Sequence, residues 1–231
     1  MTTPDRELTT ANQAPGRLPG SRGGRVRRGR YHHGDLRAAL IDTTIELLGE
    51  RGVHDFSMAE ASRRLGVAVA APYRHFADRD ALLAAVAVRA AGLLGERMER
   101  EAGPRPAPQL LAAAARAYVR FAADQQPLFQ ALVGAGLDKT RYPEIEEAGR
   151  RSIQAFTSPA ATLLPGDAAA AGRLASAVAA TAHGHAVLLL DGAFGRGEQA
   201  AGIAVGQAAA AALALADGRA RLAIPGGTLE G

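Results

Sequence analysis

Ser57-Met58-Ala59-Glu60-Ala61-Ser62-Arg63-Arg64-Leu65-Gly66-Val67, followed directly by Ala68-Val69-Ala70-Ala71-Pro72-Tyr73-Arg74-His75-Phe76, reads as two short helices joined by a glycine turn. Ser57 is an N-cap, and Glu60 three residues on completes a capping box by reaching back to the Ser57 amide. Met58, Ala61 and Leu65 fall on one face at helical spacing, with small Ala61 where a second helix must cross closely. Gly66 supplies the positive φ that a helix terminus needs, and Val67 plugs the turn into the core. The second helix carries Val69, Ala70, Tyr73, Arg74 and His75. This is the pattern of a helix-turn-helix, which places one helix in the major groove of DNA.

Working outward, a preceding helix starts near Gly34-Asp35 and carries an inner stripe of Leu36, Leu40, Thr44, Leu47 and Leu48 until Gly52 closes it. Before it, residues 1–30 are rich in Pro, Gly, Ser and Thr, and Arg17, Arg22, Arg25, Arg27, Arg28 and Arg30 follow one another without an acid between them. A soluble tail has this composition. Next to a helix-turn-helix, an arm that lies along phosphates or enters the minor groove is the better reading. On the other side, Asp78 caps a further helix with Leu82, Leu83, Val86, Leu93 and Leu94 on its inner face. The run Glu101-Ala102-Gly103-Pro104-Arg105-Pro106-Ala107-Pro108 then interrupts the helical pattern.

A second helical block follows. The pattern predicts helices over about 109–124, from Pro127 through Leu132, over about 143–157 carrying Ile145, Ile153 and Phe156, and over about 167–190 and 197–216. Pro159, Pro165 and Gly166 are expected to end the third of these. The last two are apolar almost all round, so a second copy of the chain is the economical cover for them. The chain thus divides into a disordered basic arm (1–30), a helix-turn-helix domain (31–77), a connecting helix and linker (78–106), a C-terminal helical dimerisation and effector domain (107–220) and a frayed tail (221–231).

Composition sets the outer limits. The 231 residues are 48% apolar and only 4% aromatic, with alanine prominent, which favours closely packed helices and an all-α fold. Cysteine is absent, which removes disulfides and thiolate sites and suits a reducing cytoplasm. The N-terminus has no signal-peptide core, and the longest apolar stretches look too short or too alanine-rich to span a bilayer. The formal charge is +4, and Lys139 is the sole lysine. The cations are therefore arginines, which grip phosphate or guanine through paired hydrogen bonds.

Asp35-Leu36-Arg37-Ala38-Ala39-Leu40-Ile41, Leu47-Leu48-Gly49-Glu50-Arg51-Gly52, Gly66-Val67 and Tyr73-Arg74-His75-Phe76-Ala77-Asp78-Arg79 together resemble the DNA-binding domain of the TetR family. Ala182-His183-Gly184, inside a long apolar helix, resembles the motif of a TetR subgroup with a C-terminal WHG domain. The resemblance implies a cytoplasmic, homodimeric transcriptional regulator, usually a repressor. Its C-terminal domain would dimerise and often bind a small-molecule inducer, and its operator would be palindromic. By motif position Val69, Ala70 and Arg74 face the groove, Tyr73, His75 and Arg79 contact phosphates, and Ser57 offers its amide or hydroxyl to another. Tyr73 as a core aromatic and His75 as a brace for the recognition helix are the competing readings. Arg63 and Arg64 read as a solvated face and Phe76 as core. The chain departs from relatives at Ala68, where they usually carry a capping Ser or Thr, and at Pro72, which has no amide to donate. With a small apolar groove face and Arg74 alone able to bind guanine bidentately, direct base readout is expected to be sparse.

Phe121, Phe129, Phe156 and His183 are the candidate lining of an effector pocket in the C-terminal half, with Phe194 a further large side chain there. The subgroup's tryptophan has no counterpart, Ala179 standing in that region, so the cavity is expected to be roomier. His183 and His185 point to different faces and make a poor metal pair, and Gly184 is expected to admit a neighbouring helix. No phosphate loop, nucleophile motif or paired-histidine motif is present, so neither an enzyme nor a bound cofactor or metal is expected. The alternative from another class is a helical protein–protein adaptor whose basic arm serves solubility.

Overall fold

Leu40, Leu47 and Leu48 recur at helical spacing, and in the computed structural model they are almost completely buried. The structure describes residues 36–138 and 140–222, and every regular element among them is helical. The arm with Arg28 and Arg30, Asp35, and residues 223–231 of the expected tail lie outside the described residues.

Helix α1 spans Leu36–Asp55, with Gly52 at φ 79° breaking its helical geometry as the sequence predicts. Helix α2, Met58–Leu65, begins at Ser57, whose hydroxyl accepts the Glu60 amide at 3.3 Å. The other half of the expected capping box gives way to an ion pair. The Glu60 carboxylate turns to Arg51 at 2.6 Å, because a charged partner outcompetes a neutral amide. Gly66 at φ 68° closes α2. Its own amide donates to Arg63 O at 3.2 Å and that of Val67 to Ser62 O at 3.0 Å, a Schellman pair.

The element after this turn differs from expectation. It is a turn closed by Ala71 N–H donating to Ala68 O at 2.8 Å, then a 3₁₀ segment at Pro72–Arg74. Pro72 has no N–H to extend the ladder, and Ala68 brings no side-chain cap, so a regular helix over Val69–His75 does not propagate. Pro72 and Phe76 anchor the segment in the core, while Val67 is only half-buried.

Helix α3, Arg79–Ala102, starts at Asp78, whose carboxylate accepts the Ala81 amide at 2.8 Å. Helices α4 (Ala107–Asp124), α5 (Gln126–Val133), α6 (Pro143–Leu163), α7 (Ala168–Leu190) and α8 (Glu198–Asp217) follow, then a 3₁₀ turn at Arg219–Leu222. Pro159 does not end α6 but lies buried inside it. The lost backbone bond is offset by packing of Pro159 and Ala160 in the interior. Ile153 of α6 is 50% exposed.

Helix α4 is the hub, packing against α3, α5, α6, α7 and α8. Its run Ala112–Ala115 and Ala117 is buried throughout, which lets the neighbouring axes approach closely. One core cluster runs from Leu40 in α1 to Ala216 in α8, so the chain breaks at 103–106 while the packing does not. Helices α7 and α8 are long and apolar enough, by length and composition alone, to cross a membrane. Here Leu174, Val178 and Ala182 of α7 and Ala204, Ala208 and Ala212 of α8 are buried, and the two helices pack on each other and on α4.

Two glycines separate conformational from steric demand. At Gly66 a Cβ would meet nothing within 4 Å, so its left-handed φ alone resists substitution. At Gly95 a Cβ would lie 2.8 Å from Arg151 Cβ of α6. Gly184, by contrast, has open space where a Cβ would be, so it is not the helix-crossing point expected of it. Gly66→Ala is expected to destabilise the fold by about 1 kcal/mol. Gly95→Ala should destabilise it as well, against the ~1 kcal/mol that alanine gains over glycine in a helix. Chemical denaturation of both variants checks this, and a stabilised Gly95→Ala would show that α6 yields freely.

The start of α3 also carries a pH-dependent contact. Arg141, between α5 and α6, pairs with Asp78 at 2.6 Å. The Ala81 amide first and Arg141 second hold the Asp78 carboxyl below its ordinary value of 3.8. A depressed carboxyl pKa contributes stability above its unfolded value and loses it as the pH falls through the folded one. Asp78→Asn keeps a capping side chain but removes the charge. Its deficit in Tm should be complete at neutral pH and shrink as the pH drops through and below 3.8. A deficit independent of pH would locate the loss in capping alone.

Candidate nucleic-acid interface and interior cavity

The exposed face of the turn after Gly66 is built outward from two buried anchors. Because Pro72 and Phe76 point inward, Val69, Ala70, Tyr73, Arg74 and His75 are all left exposed. Val69 is 54% and Tyr73 56% exposed, the largest values among exposed large apolar side chains of the described residues. Neither Tyr73 nor His75 is therefore part of the core. Within the described residues the Arg74 side chain has no hydrogen bond or ion pair, so its guanidinium projects uncommitted. Ser57 is exposed at the N-terminus of α2, where free backbone N–H groups favour an anion.

Arg79 is placed differently from what the motif implies. Its guanidinium donates to Phe56 O at 3.1 Å and to Val53 O, and lies over the Phe56 ring at 5.7 Å from the centroid. It ties the start of α3 to the α1–α2 junction, and these bonds leave few of its donors for a phosphate. Arg64 is likewise occupied, by a two-pronged pair with Glu50 at 2.7 Å. Arg63 stays largely solvated. Arg37 lies over the Phe76 ring at 5.3 Å from the centroid.

A partly open cavity of about 650 Å³ lies between α3, α4, α5, α6 and α7. Its walls are mainly aliphatic, among them Leu94, Leu132, Leu137 and Ile145, with Val133 and Ile153 exposed at its margin. Besides Glu146, its polar side chains are Tyr118, Ser152 and His183. Tyr118 Oη and His183 Nδ1 are 3.0 Å apart, and burial pushes the Tyr118 phenol up to about 12, so it keeps its proton. Ser152 Oγ is buried with no hydrogen-bond partner among the described residues, as is the Tyr142 hydroxyl. A second cavity of about 350 Å³ between α6 and α7 shares Tyr118, Ser152 and Ile153 and is lined further by Phe156 and Ala179.

Of the candidate lining, His183 thus faces the larger cavity and Phe156 the smaller. Phe129 lies outside both linings, packed edge-on against Tyr118 with centroids 5.6 Å apart, and Phe121 is buried core. Phe194 stacks on His185 at 6.1 Å. Tyr118 and Ser152 were not singled out from the sequence. Their signal is a polar atom in an otherwise apolar helix face, which is visible only once α7 is placed beside α4. No group of three or more His, Cys, Asp or Glu that could hold a metal occurs among the described residues.

Two family models match the chain. "Bacterial regulatory proteins, tetR family" covers residues 40–86, and "Tetracyclin repressor-like, C-terminal domain" covers residues 111–219. No curated protein matches. Among solved structures, a protein of unknown function from Rhodococcus sp. RHA1 is 30% identical, with TM-score 0.66, covering 80% of this chain and 97% of its own. A bacterial regulatory protein of the tetR family from Rhodococcus RHA1 is 17% identical, with TM-score 0.61 and coverages of 78% and 96%. The TetR family transcriptional regulator PfmR from Thermus thermophilus is 16% identical, with TM-score 0.56 and coverages of 73% and 94%. The last two likenesses speak for the fold. With the helix-turn-helix and the C-terminal domain both matched in order, the chain belongs to the TetR family of DNA-binding transcriptional regulators, which are not enzymes.

Proposed function

We propose that this regulator is a cytoplasmic homodimeric repressor that leaves a palindromic operator when a small molecule fills its interior cavity. The observation that carries the DNA half is the uncommitted side-chain row Val69, Tyr73, Arg74 and His75 standing on buried Pro72 and Phe76. Val69 and Ala70 suit thymine methyl groups, Arg74 a guanine edge, and Tyr73 and His75 phosphates. Ser57 and the arm residues Arg28 and Arg30 add backbone contacts, so phosphate grip and DNA shape supply much of the affinity. Arg79 enters as a brace for the reading turn, because its bonds go to Val53 O and Phe56 O. The likeness of Ala182-His183-Gly184 to the WHG motif fits a place beside the cavity, which His183 lines.

Dimerisation is assigned to α7 and α8. On their outer faces Ala180 of α7 and Gly202, Gly206, Ala210 and Ala214 of α8 are exposed, and Ile203 and Leu213 add apolar bulk. Small residues at four-residue spacing let a symmetry-related pair of helices approach closely. The effector acts through the segment between α5 and α6. That segment borders the cavity at Gly136 and Leu137 and holds Asp78, two residues past Phe76, through Arg141.

Two measurements test this. Fragments selected by the protein from a genomic pool should share a palindrome, and Arg74→Ala should weaken that site by roughly 5- to 150-fold, equivalent to 1–3 kcal/mol. The same variant should change binding to sites mutated at the contacted base far less. A uniform loss on all sequences would make Arg74 a phosphate contact, and no duplex binding at low salt would favour a protein–protein adaptor. In sedimentation, the parent should be a dimer at micromolar concentration and Leu213→Glu largely monomeric, because it buries a charge without a partner. A Leu213→Glu dimer of parental strength would move the interface elsewhere.

A further inference from the structure

The chemistry of the cavity wall narrows what can fill it. Among the described residues neither cavity has a Lys or Arg in its lining, and the one carboxylate there, Glu146, is exposed. A buried carboxylate, phosphate or sulfonate would therefore meet no fixed positive charge, and desolvating it without one is strongly unfavourable. The wall shared by the two cavities nevertheless carries a polar group without a hydrogen-bond partner among the described residues. Ser152 Oγ, buried and unpartnered, can both donate and accept.

The Tyr118–His183 pair leaves a second donor, whichever way its own bond runs. If the phenol donates to Nδ1, a neutral imidazole keeps its proton on Nε2. If Nδ1–H donates, the phenolic O–H is left over. Either state leaves a spare donor on a side chain that lines the larger cavity, as Ser152 does, among mainly aliphatic neighbours. Ala179 borders the smaller cavity where the subgroup resemblance implies a tryptophan, so the space beyond the polar wall is open to an apolar group.

We infer that the effector is an uncharged, mainly apolar molecule with one hydroxyl or carbonyl oxygen, held by Ser152 and the Tyr118–His183 pair. This rests on the reading of the protein as an effector-responsive regulator. The oxygen accepts the spare donor and completes Ser152, and the apolar body lies against Leu94, Leu132 and Ile145. A hydroxyl guest also donates to Ser152 Oγ.

A matched pair of probes on the full-length protein tests it: 1-decanol and decanoate, equal in chain length and titrated by calorimetry at pH 8. Decanol should bind at least ten-fold tighter than decanoate. Ser152→Ala and Tyr118→Phe should each weaken decanol about five- to ten-fold while their unfolding temperatures without probe stay near the parent's. Equal affinity for the two probes, or an unchanged decanol Kd in Ser152→Ala, would overturn the inference, as would no decanol binding at all. As a second arm, Ala179→Trp should abolish the gain in affinity between 1-octanol and 1-dodecanol that the parent displays. A retained gain would remove the smaller cavity from the site. Palindrome binding by the probe-free protein is measured alongside. Intact DNA binding with no decanol binding sinks the ligand class alone, whereas decanol binding without DNA binding sinks the regulator reading and leaves the polar wall standing.

Discussion

The first residues of α3 are the point on which the DNA-facing surface depends. Asp78 caps α3 through the Ala81 amide and pairs with Arg141. Arg79 reaches back to Val53 O and Phe56 O, at the junction of α1 and α2. Two adjacent side chains thus fix three segments to one helix end: the exit of the reading turn, the α1–α2 junction and the α5–α6 connection. These contacts are charge-assisted, the class of hydrogen bond that holds geometry best. Remove them, and the reading turn would be positioned by Pro72 and Phe76 alone.

That reading turn is short by necessity. Pro72 removes one donor and Ala68 supplies no cap, so helix propagation stops where relatives of the TetR family are expected to continue it. The chain compensates with burial: Pro72 and Phe76 enter the core, and Arg37 covers the Phe76 ring. A 3₁₀ turn is tighter than an α-helix and brings side chains three apart into line.

What was legible in the sequence was what is local. Ser57, Gly66 and Asp78 act within four residues of themselves, and their caps formed as read. The stripe of Leu40, Leu47 and Leu48 needed only the helical period, and so did the all-α fold. Long-range partners were not legible. Glu60 chose Arg51 over a neighbouring amide, and Arg79 chose carbonyls more than twenty positions away. Pro159 broke nothing because its surroundings bury it. The cavity follows the same rule. Large size pointed to Phe121 and Phe129, but size drives a side chain into the core and away from an open wall. Tyr118 met His183 across 65 residues, a contact that no periodicity announces.

The exposed large apolar side chains tie these places together. Among the described residues they are Val69 and Tyr73 on the reading turn, Val133 and Ile153 at the edge of the larger cavity, and Leu188, Ile203 and Leu213 on α7 and α8. Leaving such a side chain in water forgoes roughly 1.5–3 kcal/mol relative to full burial. A fold that buries Leu40, Leu82, Leu111 and Leu174 completely has no packing reason to leave these seven outside. Random exposure would scatter them over all eight helices, whereas α1, α2, α3 and α4 carry none. They gather instead on the surfaces assigned to DNA, to the effector and to a second subunit. On the proposed reading, the stability forgone at each of these three places would be recovered in a complex, by contact with a base, a guest molecule or the partner helices.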